Sequence, residues 1–406
     1  MHLNFRLAKR NIFRNTRRTL LTILLIASGL TALLFTDAFI RGVSVSMIKI
    51  STETFLGDAQ IHQVGYRESN DIDYYLKENN LIFSQLEDLK SVKAYSPRTI
   101  SGGMISSSEN VSSVIIYGVQ AEYEAKLSKI KQAIVEGTYL SGSKGEINIG
   151  KDLADLLEVS LGDRLVITVS QANGGDLSQE LFRVSGIYQF DDRFMNKGLA
   201  VINLSQAQSI LNISGVHEIA LRFQNINQAT DSQLPLWRKL NNKNLETLSW
   251  RELVPQLSSM IDMSSYSTLI VSIIMSILVA LGLINSIFMS IYERHHEFGI
   301  LLALGTRKTQ LFWLILLEGA YIGILSVIAG LLLGGLISYW KSITGIDYSG
   351  TEFSGITMSD PIYLVIDIYT FIKISFSIFL VTVLSSIYPA IHAARLQPSL
   401  AMRKVL

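Results

Sequence analysis

The chain has 406 residues, a formal net charge of +1 and no cysteine, which leaves room for two or three domains and excludes disulfides and thiolate metal sites. An apolar fraction of 49% beside only 17% charged residues, with a mean hydropathy of +0.33, excludes an ordinary soluble protein. The balance describes a membrane protein with a sizeable water-exposed part.

Residues 1–18 carry Arg6, Lys9, Arg10, Arg14, Arg17 and Arg18 and no acid. On a helix, Phe5, Ala8 and Ile12 share one face and most of the arginines the other, so this segment is expected to be an amphipathic basic helix on anionic membrane lipid. The apolar run directly after it sets nucleic acid aside as a partner. That run, residues 19–40, is long and lacks an A-x-A-like cleavage site, so it reads as a retained first span. Its apolar character fades slowly, predicting a stalk to about residue 56.

Residues 41–268 have the texture of a water-exposed α+β domain. Strands are expected at 57–63, 113–118, 165–169, 181–188 and 218–223, and helices at 81–89, 151–158 and 205–211. Asn173-Gly174 between two of the strands predicts a tight hairpin turn, and 234–263 reads as mostly helical. Three more spans follow at 269–292, 311–339 and 368–388, separated by a turn at 293–310 and a loop at 340–367, with a tail at 389–406. Within the third span, Gly319/Gly323 and Gly330/Gly334 form small-xxx-small pairs that permit close helix packing.

The charges orient these spans. Segments 1–18, 293–310 and 389–406 hold six, three and three Lys/Arg against two acids, whereas 340–367 has one Lys against four acids. The positive-inside rule therefore predicts both termini and the 293–310 turn in the cytoplasm, with the large domain outside.

Sites for chemistry are hard to find. Gly137–Lys144 resembles a phosphate-binding loop only with Ser and Lys in the wrong order, and His296-Glu297 and His217-Glu218 begin an H-E-x-x-H motif that Ile300 and Leu221 fail to complete. No G-x-S-x-G elbow occurs. No catalytic, metal or cofactor site is therefore expected on this chain. Glu318 is the one acid deep in an apolar span, where an ionisable group is a functional candidate by default; the expectation is a structural role, hydrogen-bonded to Ser, Asn or Tyr of a neighbouring helix.

The turn carries the clearest signal. Glu293, Arg294, His295, His296 and Glu297 form a polar block, followed by Phe298, Gly299, Ile300, Leu301 and Leu304 and then Gly305, a helix terminator. Such a short helix needs a groove in another protein. The run E-R-x-x-E-F-G-I-L-x-A-L-G-T resembles the signature after the second span of FtsX-like ABC-transporter permeases, the MacB and lipoprotein-releasing (Lol) group. Tyr388-Pro389-Ala390 through Arg395-Leu396-Gln397-Pro398 to Met402-Arg403 resembles that family's closing pattern. The resemblance implies four membrane helices with one large α+β domain between the first two, and a coupling helix seated on a cytoplasmic ABC ATPase dimer that binds ATP and Mg. It also implies a second permease subunit, the same or related, in the inner membrane. The Lol branch, which the length and the run LGDRL…FRVSGIY…VINLSQAQSIL suit best, implies release of lipoproteins. A MacB-like peptide or drug exporter and an FtsX-like signal transmitter with an extracytoplasmic protein partner stay open. In one subunit of the lipoprotein-releasing pair a long loop captures the soluble carrier; here Val169–Arg183 is short and polar at its tip, so carrier capture through it is not expected.

Overall fold

The computed structural model describes residues 15–396 except 78, 88, 232–233, 235–236, 238–239, 349–351, 354–355 and 358–360. The expected basic helix therefore lies, up to residue 14, outside the described residues, as does the closing pattern from residue 397. The chain forms two compact units. One comprises the described residues up to Val45, Ile261–Asp347 and those from Ile362 onward; the other comprises Ser46–Met260 and Tyr348–Pro361.

Among the described residues, four helices are long and apolar enough to cross a membrane. Helix α1 spans Thr16–Ser51 and passes into one π-helical turn, Thr52–Leu56. In the second unit follow β1 (Ala59–Gln63), α2 (Tyr66–Ser69), α3 (Asn79–Glu87), β2 (Val92–Ser106), β3 (Val111–Val119), α4 (Ala121–Leu127), β4 (Ile134–Gly137) and β5 (Glu146–Gly150). Then come α5 (Lys151–Leu157), β6 (Arg164–Ser170), β7 (Leu177–Tyr188), α6 (Arg193–Gly198), β8 (Leu199–Asn203), α7 (Leu204–Leu211), β9 (Glu218–Phe223), β10 (Leu245–Ser249) and α8 (Trp250–Leu253). The remaining elements are α9 (Pro255–Glu293), α10 (His295–Ala303), α11 (Lys308–Thr344), the two-residue strands β11 (Glu352–Phe353) and β12 (Ile356–Thr357), and α12 (Ile368–Ala394).

Strands β1 to β10 form one mixed sheet in the order β10-β1-β9-β2-β3-β8-β5-β7-β4. β6 pairs with both β2 and β7, so the path β2-β3-β8-β5-β7-β6 returns to β2 and six strands close on themselves. Only β3–β8 and β5–β7 are parallel. The alternating residues of these strands point inward: Ile105, Val114, Ile116, Ile147, Ile149, Ile167, Phe182 and Ile202 share one core with Leu153 and Leu157 of α5. β2 serves two partners at its far end, and Gly103 permits it. A Cβ there would meet Ile116 Cδ1 at 2.7 Å and the Thr168 carbonyl at 2.8 Å.

Residues 245–249 are a strand edging the sheet, not part of a helix, because their backbone pairs with β1. The 171–176 connection is not a two-residue turn: Asn173 and Gly175 adopt positive φ but Gly174 does not, and the Gln171 N–H bonds the Asp176 carbonyl at 2.8 Å. The Asn173 N–H also bonds Asp73 Oδ1 at 2.7 Å, tying the loop to the domain. The membrane helices outrun the predicted spans. α9 begins at Pro255, a residue suited to a first helical position, because polar residues such as Gln256 and Asp262 end a hydropathy run without ending a helix. α11 runs Lys308–Thr344 and α12 continues past Tyr388 with Pro389 inside it, since one proline removes a single backbone bond.

Two buried histidines give the sheet domain a pH dependence. Tyr66 lies stacked between His62 and His217, at centroid distances of 5.4 and 5.3 Å. His217 Nδ1 accepts from the Ile100 N–H at 2.9 Å while its Nε2 faces the Ile72 carbonyl at 3.0 Å, a neutral tautomer that a second proton would break. Burial, then the Arg67 charge, pushes His62 down from 6.5 to about 3, and burial lowers His217 as well. A depressed folded value means that the unfolded chain takes the proton first. The contribution is complete above pH 6.5 and drains as pH falls toward 3. His62 alone is expected to cost about 2 kcal/mol between pH 6.5 and 5. Denaturant midpoints of the wild type and His62→Gln at pH 7 and 5 check this: an equal acid-induced loss in both would contradict it.

Candidate coupling site

Between α9 and α11 the chain turns through the polar-then-apolar stretch that the sequence marks out. Arg294 departs from helical geometry (φ −107°, ψ 13°) and separates α9 from α10, so Glu293 closes the first helix and His295 opens the second. α10 ends in a Schellman arrangement: the Thr306 N–H bonds the Leu301 carbonyl at 3.0 Å and the Gly305 N–H bonds that of Leu302 at 3.2 Å. Gly305 supplies the required φ of +95°, and a Cβ there would meet nothing within 4 Å, so glycine is needed for conformation and not for space. The Arg307 N–H bonds Gln310 Oε1 at 3.2 Å, starting α11.

The polar block is an anchor. Arg294 Nη1 lies 3.5 Å from Glu318 Oε2 on α11, its Nε lies 3.3 Å from Glu297 Oε2, and its guanidinium sits 4.8 Å from the Phe298 ring centroid. Ser290 Oγ donates to the other Glu318 oxygen at 3.4 Å. Glu293 accepts from Asn15 Nδ2 at 3.2 Å and pairs with Arg18 of α1. The junction between α9 and α10 is thus tied by charge to α1 and α11. His295 is half-buried and His296 exposed.

The apolar block divides. Phe298 is 1% exposed, Gly299 is buried beside it, and Phe298 belongs to the same buried apolar cluster as Ile291, Leu311, Leu314 and Ala390. Ile300, Leu301 and Leu304 face outward at 41%, 38% and 78% exposure. The sequence pattern treated these residues as one docking face; only the second group is available, because a nine-residue helix must first bury a side to hold its place.

The glycine pairs meet two different neighbours. A Cβ on Gly319 would collide with Ser386 of α12, and one on Gly323 would lie 2.7 Å from Thr382 Oγ1 of the same helix. Cβ atoms on Gly330 and Gly334 would lie 2.8 Å from Leu30 Cδ2 and 3.0 Å from Leu34 Cδ1 of α1. α11 is therefore the central helix of this unit. The sequence marks Glu318 but not its partner Arg294; the available signal was an acid near the start of the third span and an arginine just after the second. Among the described residues, no group of three or more His, Cys, Asp or Glu could hold a metal ion.

Removing one member of a buried pair costs more than the pair is worth. Glu318→Leu, which leaves Arg294 with Glu297 as its remaining carboxylate, is expected to destabilise the solubilised protein by about 3 kcal/mol. Glu318→Gln, which keeps the bond to Ser290, is expected to cost about 1 kcal/mol. Thermal melts compare them, and an equal loss for the two would assign the cost to the charge that both remove and not to the hydrogen bonds that Gln keeps.

A MacB-like periplasmic core domain model matches residues 19–233, more than half of the chain, and the FtsX-like permease C-terminal model matches residues 269–398. The chain belongs to the FtsX-like, MacB-type permease family. LolC of the lipoprotein-releasing system of Xylella fastidiosa is 26% identical over 301 residues, covering 70% of this chain and 72% of that protein. LolC of Neisseria meningitidis is 21% identical over 413 residues, covering 98% and 96%. The solved periplasmic region of MacB from Actinobacillus actinomycetemcomitans covers 49% of this chain and 92% of its own at 15% identity, with a TM-score of 0.35. This FtsX-like chain is an ABC transporter permease of the Lol/MacB/FtsX type, an inner-membrane protein with a large extracytoplasmic domain. Its family implies a transporter complex with an ATPase partner.

Proposed function

We propose that this permease couples ATP hydrolysis on a separate cytoplasmic ATPase dimer to movement of its extracytoplasmic domain, and that the work releases acylated proteins from the membrane. The observation that carries the reading is α10, with an exposed Ile300–Leu301–Leu304 edge at one end and the Arg294 anchor at the other. ATP and Mg belong to the partner; this chain supplies no residue to them. Both termini and α10 lie in the cytoplasm, as the basic segments favour. A second permease subunit, the same or related, completes the pair.

Closure of the ATPases would push the exposed edge of α10. The Arg294–Glu318 and Arg18–Glu293 pairs would pass that load to α11 and α1, and α1 continues without a break from Thr16 to Ser51. A lipid tail costs about 0.8 kcal/mol per methylene to expose to water, so extraction needs both ATP and a shielded path. The lipoprotein class is favoured by relatives named as lipoprotein-releasing subunits, one of them aligned over 98% of this chain.

The test is reconstitution with the ATPase in vesicles holding a labelled acylated protein. ATP-dependent appearance of that protein in the soluble fraction is expected, and export of a non-acylated peptide instead would assign the exporter function. The hairpin offers a second check. Ala172 is buried and its N–H bonds the Leu211 carbonyl at 3.0 Å, so the removable tip is Asn173–Asp176. Replacing that tip by a two-residue turn is expected to change binding of a soluble carrier less than about twofold, as a tip without aromatic anchors should. A large loss in the folded variant would make the hairpin a recognition element.

A further inference from the structure

The extracytoplasmic domain contains a cavity of about 420 Å³ beside the π-helical turn that ends α1. Ile50, Phe55, Tyr117, Phe190, Met195 and Leu199 give it an apolar lining. Its volume falls within the range of roughly 300–1,000 Å³ typical of small-ligand sites, whereas about 150 Å³ already suffices for benzene. Several of the lining's polar groups are already engaged. Arg98 donates to Glu124, Glu218 and the Phe55 carbonyl, and Gln60 Nε2 donates to the Leu56 carbonyl at 2.9 Å. Thr54 Oγ1 donates to the Ile50 carbonyl at 2.6 Å, and Asp192 Oδ1 accepts from the Phe194 N–H at 2.7 Å. A ligand that enters is met by carbon and aromatic faces.

The rim is built rather than loose. Asn196 clamps Phe190 by two reciprocal bonds of 2.7 Å, its Oδ1 accepting from the Phe190 N–H and its Nδ2 donating to the Phe190 carbonyl. Phe194 stands at the lip with 61% of its surface exposed. At the rim, Lys129 Nζ lies 3.0 Å from Glu53 Oε2 and is itself 44% exposed. The opposite wall, Ile50 to Leu56, directly continues the helix that crosses the membrane.

We infer that this cavity binds a single saturated acyl chain. The choice of an acyl chain over another apolar ligand rests on the proposed lipoprotein-releasing function, while the cavity, its lining and its rim stand on their own. The site shelters the tail outside the bilayer and lies next to the turn through which movement of α1 would reach the sheet domain.

The test uses the full-length permease in phospholipid vesicles with a palmitate probe that carries a photoreactive group at the end of its chain. Labelling is expected on residues 187–199 and on the 50–56 turn. Ser51→Trp and Ala133→Trp each push an indole into the cavity from a different wall, and each is expected to cut that labelling about tenfold. Labelling of the membrane helices and the unfolding midpoint of the protein should stay unchanged in at least one of the two variants. Competition separates the sources of the chain: an acylated peptide that displaces the probe, while its non-acylated form does not, identifies a protein-borne tail, and failure of both assigns the site to membrane phospholipid. Absence of label from the cavity residues, or equal labelling in a folded Trp variant, overturns the inference. Release of acylated protein by a wild type whose cavity is unlabelled would remove the site and leave the function; a labelled cavity without release would do the reverse.

Discussion

Leu301→Asp combined with Leu304→Asp is expected to reduce co-purification of the ATPase to background while the permease still inserts and folds. Both side chains face outward, and Leu304 is 78% exposed. Each leucine buried in a groove contributes about 1.5–3 kcal/mol, so losing two predicts roughly a hundredfold or greater drop in affinity, before the cost of burying two carboxylates is counted. Phe298→Asp should behave differently. That ring is buried among Ile291, Leu311 and Ala390 and lies against Arg294, so a carboxylate there should disrupt the membrane unit itself. Affinity measured with purified ATPase and a melting curve of the permease separate the two effects. Retained ATPase binding by the Leu301/Leu304 variant would remove α10 as the docking element.

These contrasting roles also show what the sequence could and could not disclose. The four membrane helices are legible because twenty consecutive apolar residues have few other uses, but their ends are not, since hydropathy reports the bilayer and not the backbone. The α10 stretch is legible as a pattern. Which of its apolar residues face inward depends on packing against Leu311 and Ala390, neither of which marks the choice locally. Glu318 is conspicuous as a lone intramembrane acid, yet its partner Arg294 stands 24 residues away across a turn, a separation no helical spacing rule covers. The strands of the sheet domain alternate visibly, whereas the closure of six of them through β6 depends on pairings between residues far apart, such as Gly103 with Val169. Least legible of all is Arg98, which sits in an unremarkable run of β2 and is fully buried.

Arg98→Met is expected to destabilise the extracytoplasmic domain by about 3–5 kcal/mol. The guanidinium holds Glu124 through Nε and Nη2 at 2.8 and 2.7 Å, Glu218 through Nη1 at 2.8 Å, and the Phe55 carbonyl through Nη2 at 2.6 Å, while its Cζ lies 4.1 Å from the Phe55 ring centroid. One cation faces two buried carboxylates, so the cluster balances when one of them keeps a proton. Burial pushes Glu218 up despite Arg98; burial also pushes on Glu124, but the Arg98 charge and hydrogen bonds outweigh it and hold that carboxyl below its usual range. Removing Arg98 leaves Glu124 charged and unpaired in the interior and takes the donor from the last residues of the π-helical turn. Two further variants locate the cost. Adding Glu124→Gln and Glu218→Gln to Arg98→Met removes the uncompensated charge and should restore about half or more of the loss. Arg98→Lys keeps the charge but not the three-way geometry and should fall between wild type and Met. Unfolding followed by Trp237 and Trp250 fluorescence gives the ranking. If the triple variant were no more stable than Arg98→Met, the cost would lie in the lost bond to Phe55 and not in the buried charges, and the cluster would be a clamp on the π-helical turn before it is an electrostatic unit.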